Sequence, residues 1–135
     1  MADLVITESN VVPSGSVAKT ALVNSAQVGK IAAGDLVVQA SDNTVLHADA
    51  DNNDANLFMA TSAGYADQTI TLWQVGVIAL GAVLTQGTFY YLSANAGQIA
   101  PLADLTTGKY IVQVGIAETT SNLYFKPWIT NVQVP

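Results

Sequence analysis

The 135-residue sequence has no cysteine and no arginine, and charged residues make up only 10% of it. The missing cysteines exclude disulfide bonds, thiolate zinc sites and thiol nucleophiles together. Ordinary soluble domains carry about 25% charged residues, so small polar and apolar side chains dominate this surface. Because charged residues are depleted at the centres of interfaces, we interpret the surface as one that partners partly cover. An extracellular β domain is the alternative.

The few charges are unbalanced, with ten acidic against four basic residues and a formal net charge of -6. The basic residues are isolated lysines, namely Lys19, Lys30, Lys109 and Lys126. Nucleic acids are held by clustered Lys and Arg that displace counterions. We therefore expect no nucleic-acid partner.

No stretch predicts a membrane span, because the longest apolar run, residues 75–84, is far shorter than the ~20 residues that a spanning helix needs. We interpret that run as a buried strand pair or bend. The N-terminus has neither the basic start nor the cleavage pattern of a secretory signal. The expected setting is synthesis in the cytoplasm without export.

Strand signals are strongest in three runs rich in β-branched and aromatic residues, at 88–93, 109–117 and 122–126. Small polar residues that favour turns close each run, which predicts an antiparallel unit. The middle run alternates with a period of two. This alternation predicts one apolar face, made of Tyr110, Val112, Val114 and Ile116, and an opposite face containing Gln113 and Gly115.

Further strands follow from the same signals. Residues 35–40 and 44–48 form a predicted hairpin around Asp42 and Asn43. Others are predicted at 57–60, at 68–75, at 128–135 and at 17–28, the last with a helix as the alternative. The sequence thus predicts an all-β protein, a compact barrel or sandwich of antiparallel strands, without a helix longer than about two turns. Residues 16–135 form one predicted domain after a separate segment, 1–15.

The hairpin around Asp42 and Asn43 matches a later predicted hairpin, in the C-terminal half, at a constant offset of 53 residues, which predicts two related β-hairpin halves. The alternative is that unrelated hairpins with the same turn chemistry look alike. The matching residues are Gly34, Leu36, Val37, Val38, Asp42 and Leu46 against Gly87, Phe89, Tyr90, Tyr91, Asn95 and Ile99.

The N-terminal segment contains a short apolar run, Leu4, Val5 and Ile6. Such an end frays in a free monomer unless something holds it. It is therefore either an edge strand of its own sheet or an extended arm that adds a strand to a neighbouring subunit. Pro13 and the Ser14-Gly15 pair would supply the hinge of such an arm.

Catalytic chemistry has little support in the sequence. His47 is the single histidine, so a Ser-His-Asp arrangement would need Asp49 or Asp51 to orient it. No nucleophile elbow such as G-x-S-x-G is present. We expect His47 to lie at a strand end with one nitrogen hydrogen-bonded, and we expect no enzyme.

An acidic stretch at residues 49–54 begins as an EF-hand calcium loop does, with oxygen ligands at alternate positions. The pattern then breaks, because Asp54 and Ala60 stand where the loop needs glycine and glutamate. A solvated acidic loop is the preferred interpretation. No metal and no cofactor are predicted.

Aromatic residues are the remaining candidates for binding. In a small β domain they serve more often as core and interface anchors than as a platform for carbohydrate. Tyr90 and Tyr91 point to opposite faces of one strand, so at least one of them is expected at the surface. The candidate residues are Trp73, Trp128, Tyr90, Tyr91, Tyr110 and Tyr124.

The C-terminal half also carries a resemblance. The segments GTFYYLS at 87–93, GQIAP at 97–101, YIVQVGIA at 110–117 and LYFKP at 123–127 resemble the β module of tailed-bacteriophage virion proteins. Such modules occur in head decoration (cement) proteins and in tail fibres. GKIAAGDLV at 29–37 resembles the entry strand of the same module.

This resemblance implies a structural virion protein that binds the outer surface of a phage capsid and stabilises it. The implied partner is the major capsid protein, the implied state is a homo-oligomer (dimer or trimer), and the implied location is the capsid surface. A tail or head fibre module is one alternative, and a carbohydrate-binding β module is another. The contact residues that we predict are Leu4, Val5, Ile6, Tyr90, Tyr91 and Trp128.

Overall fold

A computed structural model describes residues 3–15, 19–50 and 56–135. Its strands are β1 (Val12–Pro13), β2 (Lys19–Leu22), β3 (Leu36–Gln39), β4 (Val45–His47), β5 (Leu57–Ala60), β6 (Thr69–Trp73), β7 (Gly76–Ala79), β8 (Phe89–Leu92), β9 (Ile99–Ala100), β10 (Tyr110–Ala117) and β11 (Asn122–Gln133). Two 3-10 turns, Glu8–Asn10 and Leu102–Asp104, are the helical elements of the described ranges. The all-β prediction is confirmed. Nothing helical in those ranges has the length and apolarity to cross a bilayer.

The strands form two sheets in which every neighbouring pair is antiparallel. The first sheet has the order β2-β6-β5-β3-β4, and the second has the order β1-β7-β11-β10-β8-β9. Leaving β1 aside, the two orders are the same when β2–β6 are matched with β7–β11. We call these sets unit 1 and unit 2.

Backbone hydrogen bonds repeat along with this strand order. In unit 1 the Gly34 N–H donates to the Ala60 carbonyl, and the Ala60 N–H donates to the Asp35 carbonyl. The equivalent bonds of unit 2 are Gly87 N–H to the Ala117 carbonyl and Ala117 N–H to the Thr88 carbonyl. The predicted duplication therefore gains support, and it extends from a hairpin to a five-stranded unit.

Unit 1 closes on itself. Val23, just after β2, forms a parallel bridge with Val45 in β4, so the two edge strands of the sheet meet. The Asn24 N–H also donates to the Val45 carbonyl over 3.0 Å. An apolar cluster fills the resulting barrel, made of Ala21, Val23, Ile31, Val37, Val45, Phe58, Ala60, Ile70 and Leu72.

The N-terminal segment occupies the corresponding place in unit 2. The Leu4 N–H donates to the Ile99 carbonyl over 2.9 Å, as Asn24 does to Val45 in unit 1. Further along, Val12 and Pro13 pair with Ala79 and Ile78 of β7 at the other edge of the second sheet. Residues 3–13, which we call the strap, thus connect both edges of unit 2.

Side chains fix the strap to the body of the same chain. Leu4 and Ile6 pack against the main core, whereas Val5 is 81% exposed. The Glu8 carboxylate accepts hydrogen bonds from the Lys30 ammonium at 2.7 Å and from the Ala33 N–H at 3.3 Å. These bonds lower the pKa of Glu8. The strap thus lies on its own chain, although only Val12–Pro13 forms an edge strand and Leu4, Val5 and Ile6 belong to no strand.

The main core lies between the units. A row across unit 1, Leu36–Met59–Trp73, faces unit 2 and is buried there together with Tyr90 and Phe125. The Leu36 N–H donates to the Gly97 carbonyl at 2.8 Å across the same boundary. Strand β5 is consequently buried on both faces.

The predicted facing of residues in β10 is wrong at the end of the strand. A bulge shifts the register of β10 between Gln113 and Gly115, so Ile116 faces outward and Gly115 faces inward. The predicted strand after Pro127 is confirmed for residues 128–133, as the continuation of β11 (Asn122–Gln133) and not as a separate element. Within the run at 75–84 the structure has one strand, β7, so the strand-pair alternative is wrong.

Other local predictions hold. The β3–β4 and β8–β9 hairpins, β5 and β6 appear where the sequence predicts them. Between residues 17 and 28 the strand interpretation is confirmed for Lys19–Leu22, whereas residues 16–18 lie outside the described ranges.

Replacing Gly115 by alanine is expected to lower the free energy of unfolding by about 1–3 kcal/mol, as overpacking does. A Cβ at this position would collide with the backbone oxygen of Tyr124, which cannot move without breaking the β10–β11 ladder. The matched control is Gly15→Ala, whose Cβ would lie 3.9 Å from Trp73. Urea titrations of both variants test this, and equal midpoints would contradict it.

Deleting residues 2–12 is expected to lower the melting temperature sharply, because the buried Val11 and the half-buried Leu4 and Ile6 leave the core. Burial of one such side chain is worth about 1.5–3 kcal/mol. A free arm would give the opposite result, an unchanged melting temperature. Differential scanning calorimetry of the truncated chain distinguishes the two outcomes.

Candidate interaction surface

A row of apolar side chains crosses the outer face of unit 2. Ile116 in β10 pairs with Phe89 in β8 on one side and with Tyr124 in β11 on the other. Because directly opposed residues share a face, these three side chains stand together. Phe89 is 46% and Tyr124 37% exposed, so large aromatic groups at the centre of this sheet face solvent.

A second row lies beside the first. Gln113 pairs with Tyr91 in β8 and with Trp128 in β11. Trp128 is 61% exposed, and Tyr91 is partly exposed. The bulge between Gln113 and Gly115 brings the two rows onto one face, because it resets the alternation of β10.

The two rows border a groove of about 420 Å³. This volume falls within the range of small-molecule and side-chain binding sites. The groove, which we call the outer groove, is lined by Phe89, Gln113, Gly115, Ile116, Tyr124, Lys126, Pro127 and Trp128. Of the described residues that line it, Lys126 alone carries a charge. Its polar side-chain groups are the Gln113 amide, the Lys126 ammonium, the Tyr124 hydroxyl and the Trp128 indole N–H.

Two of the other lysines contact a carboxylate or an aromatic ring. Lys30 pairs with Glu8 at 2.7 Å, and the Lys19 ammonium lies 4.7 Å from the Phe58 ring centroid. Within the described ranges no carboxylate comes within ion-pair distance of Lys126. The outer groove therefore offers a cation on an apolar surface, in a chain whose net charge is -6.

The edge of β11 beside the groove is poorly suited to strand addition. Strand β7 pairs with β11 only as far as Phe125, so no described strand flanks the next residues on that side. Pro127 lacks a donor, and Asn131 has a positive φ of 59° at a second register shift. Proline, lysine and bulges are devices that protect sheet edges. Contacts here are expected to use side chains on the sheet face.

The predicted contact residues are distributed over several places. Trp128 and Tyr91 lie on the outer face of unit 2. Tyr90 is only 3% exposed, and its hydroxyl accepts a hydrogen bond from the Thr85 N–H, so it belongs to the core. Leu4, Val5 and Ile6 instead border a separate cavity under the strap.

Sequence reasoning did not select Phe89 or Ile116, and it named Tyr124 as an aromatic binding candidate but not among the predicted contact residues. Alternation assigned Ile116 to the core, and only the bulge reverses that assignment. The signal that was available is the pair Gln113-Gly115, since glycine within a strand often marks a bulge.

His47 is held by groups that the sequence did not predict. Its Nε2 lies 2.8 Å from Asp35 Oδ2, and its Nδ1 lies 3.1 Å from the Gln27 amide nitrogen. The same Asp35 oxygen accepts a hydrogen bond from the Ala32 N–H. These contacts connect the end of β4 to the loops before β3, which is a structural arrangement.

Most of the acidic stretch at 49–54, for which a solvated loop was predicted, lies outside the described ranges, since these omit residues 51–55 and with them Asp51 and Asp54. Among the residues that are described, no three metal-ligating side chains come together.

Comparison of the sequence with protein-family models and with curated proteins finds no match. The resemblance to phage virion modules therefore depends on the segments of the C-terminal half and on the entry strand at 29–37.

Replacing Trp128 by alanine is expected to change the free energy of unfolding by less than about 0.5 kcal/mol, as at ordinary surface positions. Phe125 lies three residues earlier in β11 and is fully buried, so Phe125→Ala is expected to cost about 3–5 kcal/mol. Chemical denaturation of both variants measures the contrast. A large loss for Trp128→Ala would show that the aromatic face supports the fold.

Proposed function

We propose that this chain is a structural virion protein of a tailed bacteriophage, which binds the outer surface of the capsid and stabilises it. The observation that carries the proposal is the outer face of unit 2, where Phe89, Ile116, Tyr124 and Trp128 expose a continuous apolar surface. Soluble monomers rarely expose such patches, and larger ones mark sites of interaction. The resemblance of segments 87–127 to decoration proteins gives this interaction its setting.

The proposed mechanism is binding without chemistry. Exposed aromatic side chains supply large contact areas with few rotatable bonds. Lys126 is the one charged residue in the groove lining, so little charge must be desolvated when this face is covered. The antiparallel sheet beneath the face holds the side chains in fixed rows, so little conformational entropy is lost on binding. Many such contacts over a shell would resist its expansion or disruption.

A carbohydrate-binding module is the second candidate, and one observation favours it. Trp128 and Tyr124 present aromatic surfaces next to the Gln113 amide and the Lys126 ammonium. Mostly apolar lining with a few polar groups is typical of small-molecule sites. A fibre module of the same virion class remains a further alternative, with the same face as its contact.

The test uses capsids from a phage that encodes this chain, prepared after deletion of its gene. The purified protein is expected to co-sediment with these capsids to saturation and to raise the temperature at which they break. The variant Tyr124→Ser is expected to reduce this binding. Tyr65→Ser is the matched control, because Tyr65 is 57% exposed and does not line the outer groove.

Capsids that neither bind the protein nor gain thermal resistance would contradict the proposal. Binding of the protein to a neutral or acidic oligosaccharide array, lost in Trp128→Ala, would support the carbohydrate alternative instead. Equal loss of capsid binding in both tyrosine variants would show that the outer groove is not the contact.

A further inference from the structure

We propose that His47 is a pH-sensitive latch on the loop of residues 25–29, which it holds while the imidazole is neutral and releases when the ring gains a proton. We call residues 25–29 the latch loop. The Gln27 side chain of this loop contacts His47 twice. Its Oε1 accepts a hydrogen bond from the His47 backbone N–H at 3.1 Å, and its Nε2 lies 3.1 Å from Nδ1 of the ring. Because these contacts lie within one chain, the inference does not depend on the proposed function.

Two backbone groups fix the orientation of the Gln27 amide. The His47 backbone N–H can only donate, so the amide oxygen must face it. The Val28 carbonyl can only accept, and it receives a hydrogen bond from Gln27 Nε2 at 2.9 Å. The amide nitrogen is therefore the donor that faces the ring, and Nδ1 must accept from it without carrying a proton.

The other ring nitrogen carries the proton. His47 Nε2 lies 2.8 Å from Asp35 Oδ2, and a carboxylate only accepts hydrogen bonds. The ring is thus neutral, in the Nε2–H tautomer, with a partner at each nitrogen. Asp35 Oδ2 also accepts a hydrogen bond from the Ala32 N–H at 2.9 Å, which holds the carboxylate in place.

A proton added to Nδ1 reverses one of these two contacts. The new N–H points at the Gln27 amide nitrogen, which is also a donor, so the hydrogen bond between them is lost. The bond to Asp35 is kept and becomes charge-assisted, hence stronger. The ring has little room to turn away, because a Cβ at Gly97 would lie only 2.6 Å from His47 Cδ2. The latch loop must move instead.

The latch loop lies between two contacts that do not involve the ring. Before the loop, the Asn24 N–H donates to the Val45 carbonyl at 3.0 Å. After the loop, Ile31 forms a bridge with Gly64. Val28, within the loop, is 90% exposed, so no packing of its side chain holds the loop in place. Release of Gln27 therefore frees a short segment with an exposed apolar side chain and leaves the barrel of unit 1 closed.

Among the described residues, Asp35 is the titratable group that faces the ring from another segment. The latch loop, β3 and the turn between β8 and β9 contain no acidic or basic residue. Asp49 follows His47 on its own segment, and the Lys30–Glu8 ion pair borders the cavity that Asp35 lines. Histidine changes its charge between about pH 5 and 8, whereas carboxylic acids ordinarily do so at lower pH. Acidification over this range therefore acts on His47.

Nuclear magnetic resonance of the whole chain tests the latch, because His47 is its single histidine and the imidazole signals are unambiguous. At about pH 8 a proton–nitrogen correlation spectrum is expected to show the ring proton on Nε2. Between about pH 8 and 5 the exchange protection of the His47 backbone N–H, corrected for its intrinsic rate, is expected to fall about three- to tenfold, the effect of losing one hydrogen bond.

The equivalent loop of unit 2 is an internal control. Residues 80–87 contain no titratable side chain, and within them the Val83 and Leu84 N–H groups donate to the Gly81 and Thr120 carbonyls. The protection of these two amides is expected to stay constant over the same titration. A parallel loss there would show a general loosening of the chain and would overturn the inference.

A charge variant reverses the expected response. In Gln27→Glu a carboxylate accepts both from the His47 backbone N–H and from Nδ1–H of the protonated ring, so the proton affinity of His47 is expected to rise at least about tenfold. Protection of the His47 N–H is then expected to increase on acidification. Gln74→Glu, at an exposed position between β6 and β7, adds the same charge and is expected to change the proton affinity less than about threefold.

Three results would overturn the inference. The first is a ring proton on Nδ1 at about pH 8. The second is unchanged protection of the His47 N–H across the titration of the ring. The third is equal proton affinity of His47 in the Gln27→Glu and Gln74→Glu variants. Where a variant does not fold, the first two measurements on the unmodified chain decide.

Discussion

Coverage of the Leu36–Met59–Trp73 row is the contact on which the rest of this structure depends. These side chains lie on the outside of unit 1, and unit 2 curls over them so that they share one core with Tyr90, Val112 and Phe125. Because the buried fraction of a domain rises with its size, joining the two units around one core stabilises both. The contact thereby makes one body from two five-stranded units and fixes which side of each unit faces inward.

The contact also explains why the two units close differently. Unit 1 is filled by its own side chains, and the Val23–Val45 bridge joins its edges. Unit 2 holds the row of unit 1 inside its curve, so its edges stay apart. The strap then supplies at Ile99 the backbone donor that Asn24 supplies at Val45. An N-terminal run that reads as a loose arm thus becomes the closing piece of a repeated architecture.

The sequence predicts the fold class, most strands and the repeat, because period-two alternation, turn residues and the 53-residue offset are local signals. It does not predict the aromatic face correctly. Relative to β8, strand β10 has one extra residue between Gln113 and Gly115, which reverses every later position of β10 and moves Ile116 to the surface. The fate of Leu4 and Ile6 depends on the curvature of a sheet that is distant in sequence. No local pattern contains that information.

A repeated module with an interface on one face leaves one copy of that face uncovered. The row of unit 1 is covered by unit 2. In the described part of the chain nothing covers the equivalent row of unit 2. The sequence of unit 2 has not replaced that row with charged residues, since Phe89, Ile116 and Tyr124 stand where Leu36, Met59 and Trp73 stand. In a chain that acted only as a monomer, charged residues would be favoured at these exposed positions. The retained apolar row is therefore best explained by a contact that the chain makes with another molecule.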